Sequence, residues 1–284
     1  MACTLEGRVV LVTGATSGIG LAAARALAGL GARTLLVARD RARGEAACEE
    51  IRRATGSDRA SLLVADLATG GGVHRLASEV RERTDRLHVL LNNAGAIYTE
   101  RQLSPDGIEM TFALNHLGYF RLTRELLPLL EAGVPSRVVN VSSSAHRQGH
   151  MDWDDLLGER RYSGWKAYGQ SKLANILFTR ELSRRLGGKG VTANALHPGV
   201  VATGFGHNNR GFFKLLVTLG APFLTSPEKG ARTSIYLASA PGLEGVTGKY
   251  FVACREREPS AEARDDAAAR RLWELSEGMV ARTL

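Results

Sequence analysis

Short β-branched and leucine-rich runs alternate with longer amphipathic stretches along most of the chain. Residues 8–13 (RVVLVT) form a continuous apolar run, the pattern of a strand buried on both faces. Residues 18–30 then place Ile19, Ala22, Ala23, Ala26, Leu27 and Leu30 on one helical face, and Gly31 ends the helix. The alternation continues with a strand at 33–38 (RTLLVA), a charged helix at 41–55, a strand at 61–65 and a helix around 73–84. Further strands are predicted at 87–91, 137–141, 191–196 and 249–253. Long helices hold Asn115 and residues 165–186, and the tail from Pro259 places Leu272, Trp273 and Leu275 at helical spacing. This rhythm predicts right-handed βαβ units. The expected fold class is α/β: a single doubly wound Rossmann-type domain over 1–284, with a seven-stranded parallel sheet and helices on both faces. Ligands in such sheets bind beyond the carboxyl ends of the strands.

Composition narrows the class without naming a function. The 284 residues are 44% hydrophobic and 23% charged, an ordinary globular balance that excludes a disordered, collagenous or coiled-coil chain. Cys3, Cys48 and Cys254 form neither a disulfide framework nor a zinc pattern, so we expect reduced thiols and no metal. No secretory signal or membrane-spanning run is expected, and a cytoplasmic location follows. The net charge of +8 attracts anions, but the arginines are scattered in pairs rather than gathered in a stripe. No nucleic-acid motif accompanies them, and no specific nucleic-acid partner is expected.

The first strand runs into Thr13-Gly14-Ala15-Thr16-Ser17-Gly18-Ile19-Gly20. Glycines spaced G-x-x-x-G-x-G between a strand and a helix suit a dinucleotide. Gly14 allows the turn, Gly18 allows backbone to approach a pyrophosphate, and Gly20 allows close helix–strand packing. The helix N-terminus beyond offers unpaired N–H groups to an anion. The second strand ends at Arg39-Asp40. An acidic residue there favours the ribose hydroxyls of NAD, and an arginine accommodates a 2′-phosphate. With Arg39 at the ribose position, NADP(H) is favoured over NAD(H), Arg43 offers a second contact, and Asp40 leaves NAD open.

Tyr168 and Lys172 stand four apart on one face of a predicted helix. A nearby ammonium lowers a phenol's pKa, and such a tyrosine exchanges a proton with a carbonyl or alcohol oxygen. Together with Asp66-Leu67, Asn92-Asn93-Ala94-Gly95, Asn115, Val141-Ser142-Ser143 and Pro198-Gly199…Thr203, these residues resemble the short-chain dehydrogenase/reductase family. They occur in the family's order across roughly residues 8–203.

The resemblance implies roles. Tyr168 is implied as general acid/base, and Lys172 as the group that tunes it and bonds the nicotinamide ribose. Ser143 orients the substrate oxygen, a choice among Ser142, Ser143 and Ser144 that rests on motif alignment. Asn115 holds a relay water. The implied cofactor contacts are Gly14, Thr16, Ser17, Gly18, Ile19, Gly20, Arg39, Asp66, Leu67, Asn93, Ala94, Gly95, Tyr168, Lys172, Pro198, Gly199, Val201 and Thr203. Asn93 also has a reading as a sheet strut. Family members often pair through the helices carrying Asn115 and Tyr168, which makes a homodimer or tetramer an expectation.

Ser143 and Tyr168 lie 25 apart, further than in many family members. The extra residues 148–162 are expected to fold as a loop or short helix over the site edge. With YGQSKLANILF, the HPG motif and ARRLWELSE, this resembles the retinol-dehydrogenase-like branch, which implies a hydrophobic aldehyde, ketone or alcohol as substrate. Residues 204–226 are rich in Phe and Leu and are expected to form a lid over an apolar pocket. Peripheral membrane contact and plain packing are the competing readings. Trp153, Trp165 and Trp273 are expected to pack, and His146, His150, His197 and His207 have no assigned role, although His197 borders the Pro-Gly turn. The alternative to an enzyme is a sensor or interaction protein that binds cofactor without turnover.

Overall fold

The computed structural model describes residues 4–199 and 225–283. Its centre is one sheet in the order β3-β2-β1-β4-β5-β6-β7-β8. The strands are β1 (Val9–Thr13), β2 (Arg33–Ala38), β3 (Ala60–Val64), β4 (Val89–Asn92), β5 (Ser136–Val141), β6 (Val191–His197), β7 (Tyr250–Val252) and β8 (Arg255–Glu256). The first seven run parallel, as the apolar runs predict. The two-residue β8 turns back antiparallel on β7 and makes the sheet eight-stranded rather than seven-stranded. An element of two exposed charged residues carries no hydrophobic period, so nothing in the sequence marks it.

The order reverses between β1 and β4, where the chain crosses from one half of the sheet to the other. Helices α1 (Gly18–Gly29), α2 (Arg41–Thr55) and α7 (Pro227–Ser239) form a layer on one face. Helices α3 (Gly70–Arg83), α5 (Gly118–Ala132) and α6 (Gly164–Arg185) form the layer on the other. Each central strand therefore packs on both sides, which is why β1 and β4 are buried throughout and need no polar alternation.

The last helix, α8 (Asp266–Ala281), lies on α6. Trp273 packs against Phe120 at 4.9 Å and Phe178 at 5.9 Å between ring centroids, so it covers the part of α5 and α6 around these rings. The inward face of α8 is Ala269, Leu272, Trp273, Ser276 and Met279, and Leu275 points outward. A serine replaces leucine on that face because Ser276 finds a buried hydrogen-bond partner, His116, at 2.8 Å. Trp165 also departs from expectation. It is 59% exposed rather than packed, with its ring edge-on to Tyr168 at 6.4 Å. The 204–226 segment lies, except for its last two residues, outside the described residues.

Candidate active site

The glycine turn after β1 is shaped by contacts that exclude a side chain. Gly14 has φ +65°, and a Cβ there would stand 2.8 Å from the Ala94 Cα. A Cβ on Gly20 would stand 2.2 Å from the Gly14 carbonyl oxygen, closer than any real contact. The turn is braced by the loop after β4. Asn93 Nδ2 donates to the carbonyls of Thr13 at 2.9 Å and Gly14 at 3.3 Å, and Thr13 Oγ1 accepts from the Asn93 and Ala94 N–H groups. Asn93 is thus a strut between β1 and β4, the second of its two sequence readings. Ser17 precedes α1 in extended conformation without a side-chain cap, and Thr16, Gly18 and Ile19 are partly accessible around it. The uncapped N–H groups of α1 open beyond the carboxyl ends of the strands, where an anion would be held.

At the end of β2, Asp40 is committed to helix α2, because its carboxylate accepts from the Arg43 N–H at 3.0 Å as N-cap. Arg39 is exposed, and its guanidinium acts on the Tyr98 hydroxyl in the sense that lowers its pKa. Tyr98, which the sequence reading missed, is buried, and desolvation raises its pKa. The Asp66 charge acts on the same hydroxyl in the sense that raises its pKa, and its carboxylate accepts from the Ala68 N–H at 3.0 Å. Leu67 is buried in the core, which leaves its backbone as what it can offer a ligand. These assignments separate two adjacent residues by experiment. Asp40→Ala is expected to lose about 1 kcal/mol of stability in urea unfolding, as N-cap removal typically does, without changing the NADPH/NADH preference.

The residues expected to react converge at the carboxyl ends of β4 and β5. Asn115 sits in a π turn (Ala113–Leu117) between α4 (Met110–Phe112) and α5. Its amide accepts from Ala96 N–H at 2.9 Å and donates to Ala96 O at 2.9 Å and Ser171 Oγ at 3.0 Å. The side chain therefore fixes the loop after Gly95 and carries no direct bond to Lys172. A Cβ on Gly95 would stand 3.1 Å from Asn115 Oδ1 and 3.3 Å from Lys172 Nζ, so the missing side chain is what lets the three residues meet. Lys172 donates to the Val141 carbonyl at 3.1 Å and lies 5.7 Å from the Tyr168 ring centroid. Among the serines, Ser142 Oγ is turned inward and donates to Lys172 O at 2.6 Å. Ser143 is the serine that acts on the Tyr168 hydroxyl, in the sense that lowers its pKa, and its Oγ also accepts from the Ala145 N–H at 3.2 Å.

Electrostatics differ from the sequence expectation of a tyrosine held below its ordinary range by an ammonium. With the protein's own groups alone, burial dominates. It pushes Tyr168 up to about 12, with the Ser143 hydrogen bond acting in the opposite sense. It pushes Lys172, 3% exposed, down to about 7. An unfolded lysine titrates near 10.4, so between roughly pH 7 and 10 the unfolded chain binds more protons than the folded one. Stability contributed by Lys172 therefore rises with pH across that window. Urea unfolding at the two ends of the window is expected to show the rise in the parent chain and a smaller one in Lys172→Met.

Residues 148–162 form an ordered loop rather than a helix. Met151 and Leu156 enter the core, and Asp155 accepts from the N–H groups of Glu159, Arg160 and Arg161. At its end, the Tyr162 hydroxyl lies 2.8 Å from Tyr98 O and 3.0 Å from Glu109 Oε1. Glu109 is 2% exposed and caps α4 through Thr111 N–H at 2.8 Å and Phe112 N–H at 2.7 Å. The sequence reading missed this pair. The only signal available was an acidic residue before an apolar run. His197 accepts from the Ser144 N–H at Nδ1, 3.2 Å, and Pro198 and Gly199 (φ +90°) follow it. Val201 and Thr203 lie outside the described residues.

No described helix is long and apolar enough to cross a membrane. The family model described as short chain dehydrogenase matches residues 8–211. Retinol dehydrogenase 14 of Homo sapiens is 44% identical over 97% of this chain and 87% of that protein. Retinol dehydrogenase 13 of Homo sapiens is 44% identical over 98% of this chain and 86% of that protein. Among solved structures, an uncharacterized protein from Mycobacterium paratuberculosis superimposes with a TM-score of 0.80 at 35% identity, covering 98% of this chain and 95% of that one. The Pseudomonas aeruginosa RhlG/NADP active-site complex has a TM-score of 0.70 at 29% identity, covering 87% and 95%.

Proposed function

The chain belongs to the short-chain dehydrogenase family and is retinol-dehydrogenase-like, and within that family we propose that it is an NADP(H)-dependent oxidoreductase of hydrophobic carbonyls and alcohols. The observation that carries the reading is the convergence of Tyr168, Ser143 and buried Lys172 beside the side-chain-free Gly95. The glycine cradle of Gly14, Gly18 and Gly20 fits a dinucleotide, because a Cβ at Gly14 or Gly20 would fill the close approach the turn needs. Arg39, free of the capping duty that occupies Asp40, would take the 2′-phosphate. Asp66, the Leu67 backbone, Ala94, Pro198, Gly199, Val201 and Thr203 would line the rest.

When bound, the nicotinamide supplies the hydride. In reduction, Ser143 and Tyr168 hydrogen-bond the carbonyl oxygen, and Tyr168 supplies the proton. A phenol pushed up to about 12 is fully protonated at neutral pH and is poised as an acid rather than a base. Lys172, whose pKa burial brings down to about 7, is suited to pass a proton on. Both N–H groups of the Asn115 amide are spent on Ala96 and Ser171, so residue 115 would hold a relay water through the second lone pair of Oδ1 or through the backbone of the π turn. The 204–226 segment is proposed as the apolar substrate wall, by its composition.

The test is consumption of NADPH and NADH against all-trans-retinal, medium-chain aldehydes and quinones. Turnover with NADPH is expected. Binding of both cofactors without turnover of any substrate would favour the sensor reading.

A further inference from the structure

His146 is fully buried in the one-turn helix (Ser144–Arg147) that follows Ser143. Its two ring nitrogens face partners of opposite kind. Nδ1 lies 2.6 Å from the Ser143 carbonyl oxygen, which can only accept. Nε2 lies 3.2 Å from the Ser260 backbone N–H, which can only donate. The partners therefore fix a neutral ring with its proton on Nδ1. The Ser143 carbonyl also receives the His146 backbone N–H at 3.1 Å, so residue 146 grips it twice. Tyr250 closes another side of the imidazole, edge-on at 5.0 Å.

Ser260 belongs to the segment between β8 and α8. That segment is tied to the residues after Ser143 at three further points. Arg147 Nη2 donates to Glu258 O at 2.8 Å, Glu262 Oε1 accepts from the Met151 N–H at 2.8 Å, and His150 Nδ1 lies 3.1 Å from Glu262 Oε2. Of these four ties, that of His146 continues directly to Ser143.

We propose that His146 is a positioning residue for Ser143, a two-ended strut through which the docked 258–262 segment holds the Ser143 turn toward Tyr168. The proposal rests on the oxidoreductase reading above. The two ends of the strut can be removed separately. An asparagine amide reaches where Nδ1 stands, so His146→Asn keeps a donor to Ser143 O and gives up Ser260. A glutamine amide reaches where Nε2 stands, so His146→Gln keeps an acceptor for Ser260 N–H and gives up Ser143. Both variants lose the ring, so a loss of packing alone affects them alike.

In NADPH-driven reduction of a medium-chain aldehyde, His146→Gln is expected to lower kcat about 10-fold with the KM for NADPH unchanged, the size of one lost hydrogen bond. His146→Asn is expected to stay within about threefold of the parent chain. Equal losses in the two variants, or no loss in His146→Gln, overturn the proposal. If the parent chain itself turns over no substrate, the oxidoreductase reading fails, and the strut is decided by NMR of the chain without cofactor. Displaced Ser143 and Ser144 amide resonances in His146→Gln but not in His146→Asn support it; equal displacement in both, or none, overturns it.

Discussion

Replacing Tyr168 by phenylalanine is expected to lower kcat by between about 100-fold and 10,000-fold, the range that a positioned proton donor contributes, while NADPH still binds. The ring stays, so its packing beside Lys172 and Trp165 stays with it. Only the hydroxyl that meets Ser143 is lost. Titration of protein fluorescence with NADPH separates binding from turnover, and near-normal kcat in Tyr168→Phe would remove the tyrosine from the chemistry. The buried position adds a directional expectation. Because burial holds the phenol protonated up to about 12, carbonyl reduction needs no deprotonation of Tyr168, and this group adds no pH dependence to reduction across neutral pH. Alcohol oxidation needs the phenolate, so its rate should climb with pH over the same range. Matching pH profiles in the two directions would show that the phenol is not held as an acid.

Arg39→Asp is the second change with a large expected effect. It removes a guanidinium suited to a 2′-phosphate and supplies a carboxylate suited to a ribose diol. A charge-assisted hydrogen bond contributes about 1.5–3 kcal/mol, so the ratio of kcat/KM for NADPH to that for NADH is expected to fall by roughly 10-fold to 100-fold. The change should act on KM more than on kcat, since the site of reaction is remote from the end of β2. An unchanged ratio would mean that Arg39 does not read the phosphate. Its neighbour serves as control, because Asp40 caps α2 and its removal should cost stability alone.

Much of the framework was legible because parallel strands buried on two faces leave an unbroken apolar signature. The runs at β1, β2 and β5 fall within a residue or so of their observed ends. Glycine turns leave an equally local mark, since only glycine tolerates the φ of Gly14 and the crowding at Gly20. Less visible were side chains whose duty depends on a distant partner. Glu109 and Tyr162 are 53 residues apart and meet only because the loop after Ser143 folds back over α4. Ser276 lies on the buried face of α8 because His116, 160 residues earlier, is its hydrogen-bond partner. Leu275, the better hydrophobic candidate, points outward as a result.

The sequence by itself determined the α/β alternation, the dinucleotide-type turn after β1, the order of the family's motifs and the four-residue spacing that puts Tyr168 and Lys172 on one helical face. These are properties of a residue and its near neighbours, and periodicity and backbone sterics express them directly. The tertiary structure committed Asp40 to capping α2 while Arg39 stays exposed, turned Ser142 inward and Ser143 toward Tyr168, and made struts of Asn93 and the Asn115 amide. It also decided the protonation of the site, because burial moves Tyr168 up and Lys172 down by removing water from around them, and water is excluded by the packed whole rather than by any local run of residues.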